Sequence, residues 1–236
     1  MRFDIITIFP KIFDSYINES ILKRAQKNKL ISIKIHPLRN PKKEKRKILD
    51  DTPYGGGAGM VLKAEPILRA IQKIAKRKKR KIIILSAKGK QFNQKYAINL
   101  SKKYNQIIMV SGRYEGIDER VKKILSDKTE SGILGKVEEI SIGPYVLTDG
   151  DVAASVIVSA VARLVPKVIN AKSLKEESHF NFLKQSEIEI SKKGFEYPHY
   201  TKPEILVWKN KKYRVPKVLL SGNHKKIKEW REKCSK

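Results

Sequence analysis

An α/β fold built on a mainly parallel sheet is what this sequence predicts, and three observations predict it. Short apolar segments alternate with longer helical ones through the first 165 residues or so. The apolar segments run almost without polar interruption, as strands do when helices cover both faces of their sheet. Three of them lead directly into loops rich in glycine and small polar residues, and parallel sheets bind ligands at the carboxyl ends of their strands.

Element by element, residues 3–9 (FDIITIF) read as a buried strand. Pro10 then begins an amphipathic helix with Ile12, Phe13, Tyr16, Ile17, Ile21 and Ala25 on one broad face. ISIKIHPL (31–38) alternates with period two and forms the next strand. After the loop DDTPYGGGAGM (50–60) come a helix over 64–80 with a basic end and the fully apolar strand KIIIL (81–85). The rhythm repeats with a polar helix near 91–103, the strand QIIMV (106–110), a helix near 117–125 and a strand at EEISI (138–142). A small-residue helix over about 150–164 follows, with Asp149 or Asp151 as its N-cap. These elements form one domain over 1–167, joined by a polar linker (168–195) to a small C-terminal domain (196–236). That last part ends in a basic helix capped by Ser221 or Asn223.

Composition narrows the function. The chain carries 52 Lys and Arg against 24 Asp and Glu, a net charge of +28. Clusters such as PKKEKRK (41–47) and KRKKRK (76–81) sit between structured segments rather than in a tail, which points to a polyanionic partner, nucleic acid before any other. A single cysteine, Cys234, rules out an internal disulfide framework and a multi-cysteine zinc site, and the four histidines show no metal spacing. The apolar N-terminus is too short to span a membrane and holds Asp4, so a cytoplasmic protein with no membrane partner is expected.

The loops IIIL-SAKG (82–89), IIMV-SGRYEG (107–116) and EEISI-GPYVLTDGD (138–151) together describe one pocket, read largely by main-chain groups. The fourth glycine loop, at 50–60, resembles a phosphate cradle but fits none. From Gly55, the P-loop spacing reaches Met60 where glycine is required, and the dinucleotide fingerprint fails at the same residue. Its following helix also opens with Glu65, which disfavours an anion. An ordinary Rossmann-type methyltransferase is disfavoured too, because the first strand is followed by PKIFD rather than by glycines.

Five ordered motifs, DDTPYGGGAGM, SGRYEGIDERV, SIGPYVLTDGD, EYPHYTKPEI and VPKVLLSGNHKKIKEWR, are similar to the bacterial tRNA (guanine-N1)-methyltransferases, the TrmD family of the SPOUT superfamily. The similarity runs over nearly the whole chain. It implies an α/β domain tied in a deep trefoil knot, a small C-terminal helical domain, and a homodimer with shared active sites. It also implies methyl transfer from S-adenosylmethionine to N1 of guanine-37 in tRNA, next to the anticodon, with Mg²⁺ as a further requirement and no role for DNA.

Carried over residue by residue, the resemblance places Leu85, Ser86, Gly89, Gly112, Tyr114, Glu115, Gly116, Ile142, Gly143, Tyr145, Leu147 and Gly150 around the cofactor. It places Asp50, Gly55, Gly56, Gly57, Gly59, His199, Tyr200 and Lys202 toward the tRNA. Guanine N1 carries a proton at neutral pH, so the reaction needs a general base and a group to hold charge developing on O6. Glu177 in EESHF takes the first role, with Glu176 beside it as the alternative, and Arg163 takes the second. Glu177 stands where the family has aspartate, Lys202 where arginine is usual, and DGD (149–151) where GGE-like sequences are common. The sequence also stops soon after EWREKCSK, so a shortened C-terminal domain is expected, its tRNA grip offset by positive charge. The alternatives are another SPOUT RNA methyltransferase, which leaves DDTPYGGGAGM and PHYTKP without a use, and a non-catalytic basic RNA-binding protein, which leaves the three loops without one.

Overall fold

A computed structural model describes residues 1–38, 49–75, 79–127, 136–170 and 197–234. The chain divides into two compact units, Met1–Ile169 and Asn170–Lys236.

The first unit is a five-stranded parallel sheet. Its strands are β1 (Arg2–Thr7), β2 (Ser32–Pro37), β5 (Arg80–Gln91), β6 (Gln106–Val110) and β7 (Lys136–Ser141), in the order β2-β1-β6-β5-β7. Two short strands, β3 (Asp50–Asp51) and β4 (Val61–Leu62), pair antiparallel beside it. Helices α1 (Asp14–Ile17), α2 (Ser20–Lys27), α4 (Gln94–Lys103) and α6 (Gly150–Ala162) cover one face with Phe13, Ile17, Leu22, Ala97, Leu100 and Ile157. Helices α3 (Ala64–Ile74) and α5 (Arg120–Ser126) cover the other with Ile67, Ile71, Val121 and Leu125. Successive strand residues serve opposite cores: Ile83 and Leu85 go to the first, Ile82 and Ile84 to the second. This is why the strands read as unbroken apolar runs.

Several element boundaries differ from the sequence reading. The single helix expected after Pro10 is a 3-10 turn (Pro10–Phe13) and two short helices, broken where Ser20 takes a φ of +48°. The helix expected over 64–80 ends as α3 at Ile74, and residues 76–78 lie outside the described residues. Asp149 is the N-cap of α6, its side chain accepting from the Asp151 and Val152 amides at 2.8 and 3.3 Å.

The second unit, expected as a small helical domain, holds strands as well as helices. Its described part holds an antiparallel hairpin, β8 (Ile205–Trp208) and β9 (Lys211–Arg214), before α7 (Lys217–Leu220) and α8 (His224–Cys234). A two-residue turn at Lys209-Asn210, both with positive φ, closes the hairpin, and polar sequence flanking a short apolar run hid it. Asn223 caps α8 through the Lys226 amide at 3.1 Å. The expected linker lies almost wholly outside the described residues.

One buried carboxylate pins the first unit's strands together. Asp4 on β1 has no solvent exposure and accepts hydrogen bonds from Arg2 (2.6 and 2.7 Å) and from Gln106 of β6 (2.7 Å), with His36 of β2 at 2.7 Å. Gln106 donates again to the Ile74 carbonyl of α3 at 2.8 Å. Burial raises the Asp4 pKa, but the contacts with His36, Arg2 and Gln106 outweigh it and hold the carboxyl below its usual range. A depressed carboxylate pKa gives stability that is present above the unfolded value, about 3.9, and lost as pH falls through the folded value. Asp4→Ala leaves the buried Gln106 and the partly buried Arg2 and His36 around an empty site and should cost about 3 kcal/mol in chemical denaturation at pH 7. The gap between variant and wild type should narrow below about pH 4.

Candidate active site

The chain crosses the sheet in a way that gathers three strand ends. From β5 it enters β6 on the inner side, then passes β5 to form β7 at the edge. The loops leaving β5, β6 and β7 therefore meet at one end of the sheet, the crevice where parallel sheets hold ligands.

Residues 86–89 leave the β5–β7 ladder: Leu85 and Lys90 both register with Ile140, and the segment between them loops out. Gly89 makes this possible, since a Cβ there would lie 2.5 Å from the Ile140 amide nitrogen. At the centre, the Gly150 amide donates to the Gly112 carbonyl at 2.9 Å, and a Cβ on Gly150 would lie 2.9 Å from Gly112 N and 3.0 Å from Ser111 Oγ. The start of α6 is thus seated main chain to main chain on the loop after β6.

Around this contact lies a cavity of about 420 Å³, within the range of about 300–1,000 Å³ common for small-ligand sites. Of the twelve residues expected at the cofactor, ten line it: Leu85, Ser86, Gly112, Tyr114, Glu115, Gly116, Ile142, Tyr145, Leu147 and Gly150. Gly89 and Gly143 are not part of the lining. Gly89 has the strand-crowding role just described, and a Cβ on Gly143 would meet the Tyr145 ring at 2.1 Å.

The lining also holds charges that the sequence reading did not single out. Lys88 donates to Glu119 at 3.0 Å and lies 3.7 Å from Glu139, while Lys122 reaches Glu139 at 2.7 Å and Glu119 at 3.8 Å. Glu119 holds the Lys88 ammonium above its usual pKa and is itself lowered by Lys88; Glu139 raises Lys122 in the same way. Arg113 lies 3.4 Å from Asp149 and 3.3 Å from the buried Asp151, with its guanidinium 4.3 Å above the Phe9 ring. Lys88 and Glu119 are 31 residues apart and Lys122 and Glu139 are 17 apart, so no linear pattern could pair them. Arg113 was in reach, since it sits inside SGRYEG.

Five carboxylates, Glu115, Asp118, Glu119, Glu139 and Asp149, line the cavity against three cations, Lys88, Arg113 and Lys122. In a protein of net charge +28 this is an acid-rich enclosure. Ser111 Oγ, Arg113 Nε and Asp151 Oδ1 are buried with no hydrogen-bond partner among the described residues.

The glycine loop at 50–60 is fastened to the same loop. The Glu115 amide donates to the Met60 carbonyl at 3.0 Å, the Leu62 amide to Gly116 at 3.0 Å, and the Asp118 amide to Leu62 at 3.0 Å. Gly55, Gly56, Gly57 and Gly59 all take positive φ, and a Cβ on Gly59 would meet Glu115 Oε1 at 2.6 Å. Asp50 opens β3, paired with Leu62.

Arg163 ends α6 at the C-cap, about 20 Å along the helix from Asp149 at 1.5 Å per residue. It lines a different, shallow cavity with Tyr16, Glu19, Ser159 and Ile169, so a single chain does not bring it into the first. Glu177 and Glu176 lie outside the described residues. His199, Tyr200 and Lys202 belong to the second unit, where the His199 ring meets Tyr197 edge-on and Tyr200 packs 6.4 Å from Trp230. Among the described residues no group of three or more His, Cys, Asp or Glu converges as a metal site, and no helix is long and apolar enough to cross a membrane.

A parallel α/β domain with a glycine-walled crevice at a reversal of strand order defines a small-ligand-binding enzyme class rather than one enzyme. Comparison with known proteins narrows it. The whole chain, residues 1–236, matches the family described as tRNA (Guanine-1)-methyltransferase TrmD, and the chain belongs to that family. It is similar to the tRNA (guanine-N(1)-)-methyltransferase of Chloroflexus aggregans, 46% identical over 98% of this chain and 81% of that protein. The protein of the same name from Dictyoglomus turgidum is 46% identical over 99% of this chain and 84% of its own length. That from Onion yellows phytoplasma is 42% identical over all of this chain and 86% of its own.

The seating of α6 sets a direct test. Gly150→Ala should lower cofactor affinity at least tenfold by calorimetry, because the added methyl must displace backbone rather than a flexible side chain. Lys209→Ala, at the hairpin tip of the second unit, should change it little.

Proposed function

We infer that this chain transfers a methyl group from S-adenosylmethionine to N1 of guanine-37 in tRNA. The observation that carries the reading is the convergence of the β5, β6 and β7 loops on one glycine-walled, acid-rich cavity in a chain of this family.

The residues present fit the cofactor. Leu85, Ile142 and Leu147 offer apolar surface for a heterocycle, and the Gly112 and Gly116 backbone allows close approach. The excess of carboxylates suits a ligand bearing a sulfonium and an ammonium. When bound, S-adenosylmethionine supplies a methyl group on a positively charged sulfur. The chain's residues must then deprotonate guanine and hold its charge. Glu177 takes the N1 proton, with Glu176 as the neighbour able to replace it.

Arg163 meets the O6 charge from a second copy of the chain, which answers its distance from the cavity within one chain. In support, Val152, Val156, Ser159 and Arg163 recur on one side of α6, and Val152, Val156, Tyr16 and Ile21 are apolar side chains left exposed. A homodimer that covers this surface gives each cavity an arginine from its partner.

The knotted connectivity belongs to the same reading. Its support is the chain's passage over β5 to reach β7, followed by the return of α6 onto Gly112. Asp50, Gly55, Gly56, Gly57 and Gly59 are read as the tRNA-facing loop, and His199, Tyr200 and Lys202 as tRNA contacts of the second unit. A requirement for Mg²⁺ rests on the resemblance alone.

The test is incubation with methyl-labelled S-adenosylmethionine, Mg²⁺ and unmodified tRNA transcripts carrying G or A at position 37. Label should enter the G37 transcript at N1 and not the A37 transcript; no label on G37, or equal label on both, overturns the reading. Glu177→Gln should retain cofactor binding and lose about 10²–10⁴-fold in turnover at neutral pH. Near-normal turnover in that variant moves the base elsewhere. At a cofactor concentration that leaves the Gly150→Ala cavity largely empty, mixing Arg163→Ala with Gly150→Ala should restore part of the activity through heterodimers that hold one intact site.

A further inference from the structure

The hairpin of the second unit has no part in the reaction as argued so far. Pairing sets its faces: Leu206 opposes Tyr213 and Trp208 opposes Lys211, so these four share one face, while Ile205, Val207, Lys212 and Arg214 share the other. A soluble domain ordinarily buries tryptophan and tyrosine on a strand. Here Trp208 is 63% exposed, Tyr213 52% and Leu206 53%.

The charge around these rings has one sign. Residues 205–214 hold Lys209, Lys211, Lys212 and Arg214 and no acidic residue. Lys209 and Asn210 at the tip take φ of +47° and +61°, values that close a two-residue turn without splaying the strands. The ladder is continued by the Val215 amide donating to Glu204 at 3.0 Å, which ties the base of the hairpin shut. The rings therefore stand on a paired two-stranded platform rather than on a loose loop.

We propose that this face is a stacking platform for unpaired bases of the tRNA, outside the target guanine, with Trp208 and Tyr213 under the bases and Lys211 of the same face and Lys209 of the tip on the flanking phosphates. The proposal rests on the tRNA reading given above. Aromatic side chains on an exposed strand face, bordered by lysine and arginine, are the surface that single-stranded RNA takes: every base has a π-face, and the cations meet the backbone. An apolar protein partner would leave Lys211 and Lys209 beside it without counter-charge. A paired RNA stem would offer the rings no base face.

Trp208 is one of two tryptophans in the chain, so Trp230→Phe leaves it as the sole indole probe. Its fluorescence should be quenched by tRNA and by an anticodon-loop oligonucleotide, and not by heparin, a polyanion without bases. Trp208→Ala and Tyr213→Ala should each weaken tRNA binding about fivefold or more, the loss common when a stacked ring is removed. That loss should appear in KM for tRNA, with kcat and cofactor affinity retained, and Trp208→Phe should restore most of it. Lys211→Ala should instead flatten the salt dependence of binding, which Trp208→Ala leaves unchanged. Unchanged KM in both aromatic variants overturns the proposal. So does a Trp208 signal that answers to phosphatidylserine vesicles and not to tRNA. If tRNA quenches Trp208 while the wild-type protein methylates no transcript, the platform stands and the methyl-transfer reading falls.

Discussion

The constraint on which the cavity end of the sheet depends is the main-chain contact between Gly112 and Gly150. A side chain at Gly150 would collide with backbone, so the start of α6 is held at a fixed depth against the loop after β6. Everything at that end of the sheet is referenced to this seat. Asp149 caps the helix at the cavity, the β7 loop is fixed by the helix it feeds, and Arg113 finds both Asp149 and Asp151 within reach. The sheet supplies the other half. Helices cover both of its faces, which leaves the strand ends as the place where a ligand meets backbone.

Charge is distributed with a purpose that net composition conceals. The chain as a whole is strongly basic, as a phosphate-binding surface requires, yet the cavity is lined by more carboxylates than cations. Those at the rim are linked by Lys88 and Lys122 into a network that joins the β5 loop, α5 and β7. Exposed ion pairs contribute little stability each, so the network is better regarded as fixing loop positions than as holding the fold. The stabilising polar cluster sits elsewhere, at Asp4, buried and shared among three strands and a helix.

Much of the fold was legible because the strands are buried on both faces and therefore continuous in apolar character. The three loops were legible for a related reason, since glycine after such a strand marks backbone approach. The break of the first helix at Ser20 was hidden, because its apolar spacing continues across the interruption. The hairpin at 205–214 was hidden too: with both faces exposed there is no apolar and polar alternation to read. At the site, side chains that point into the cavity from motif residues could be named, but ion pairs between segments could not. The place of Arg163 shows the same limit, for the sequence says which helix it ends and not which cavity that end reaches.

The glycine loop at 50–60 has one more consequence. The Met60 carbonyl at its end and the amide and carbonyl of Leu62 just beyond it bond residues 115–118, the same stretch whose other side walls the cavity. Two surfaces that share a backbone cannot be ordered independently. If filling the cavity stiffens that stretch, the entropy lost is already spent when the second ligand arrives at the loop, and thermodynamics requires the favour to be returned by the same factor. Three main-chain hydrogen bonds are the physical link through which such a coupling would pass.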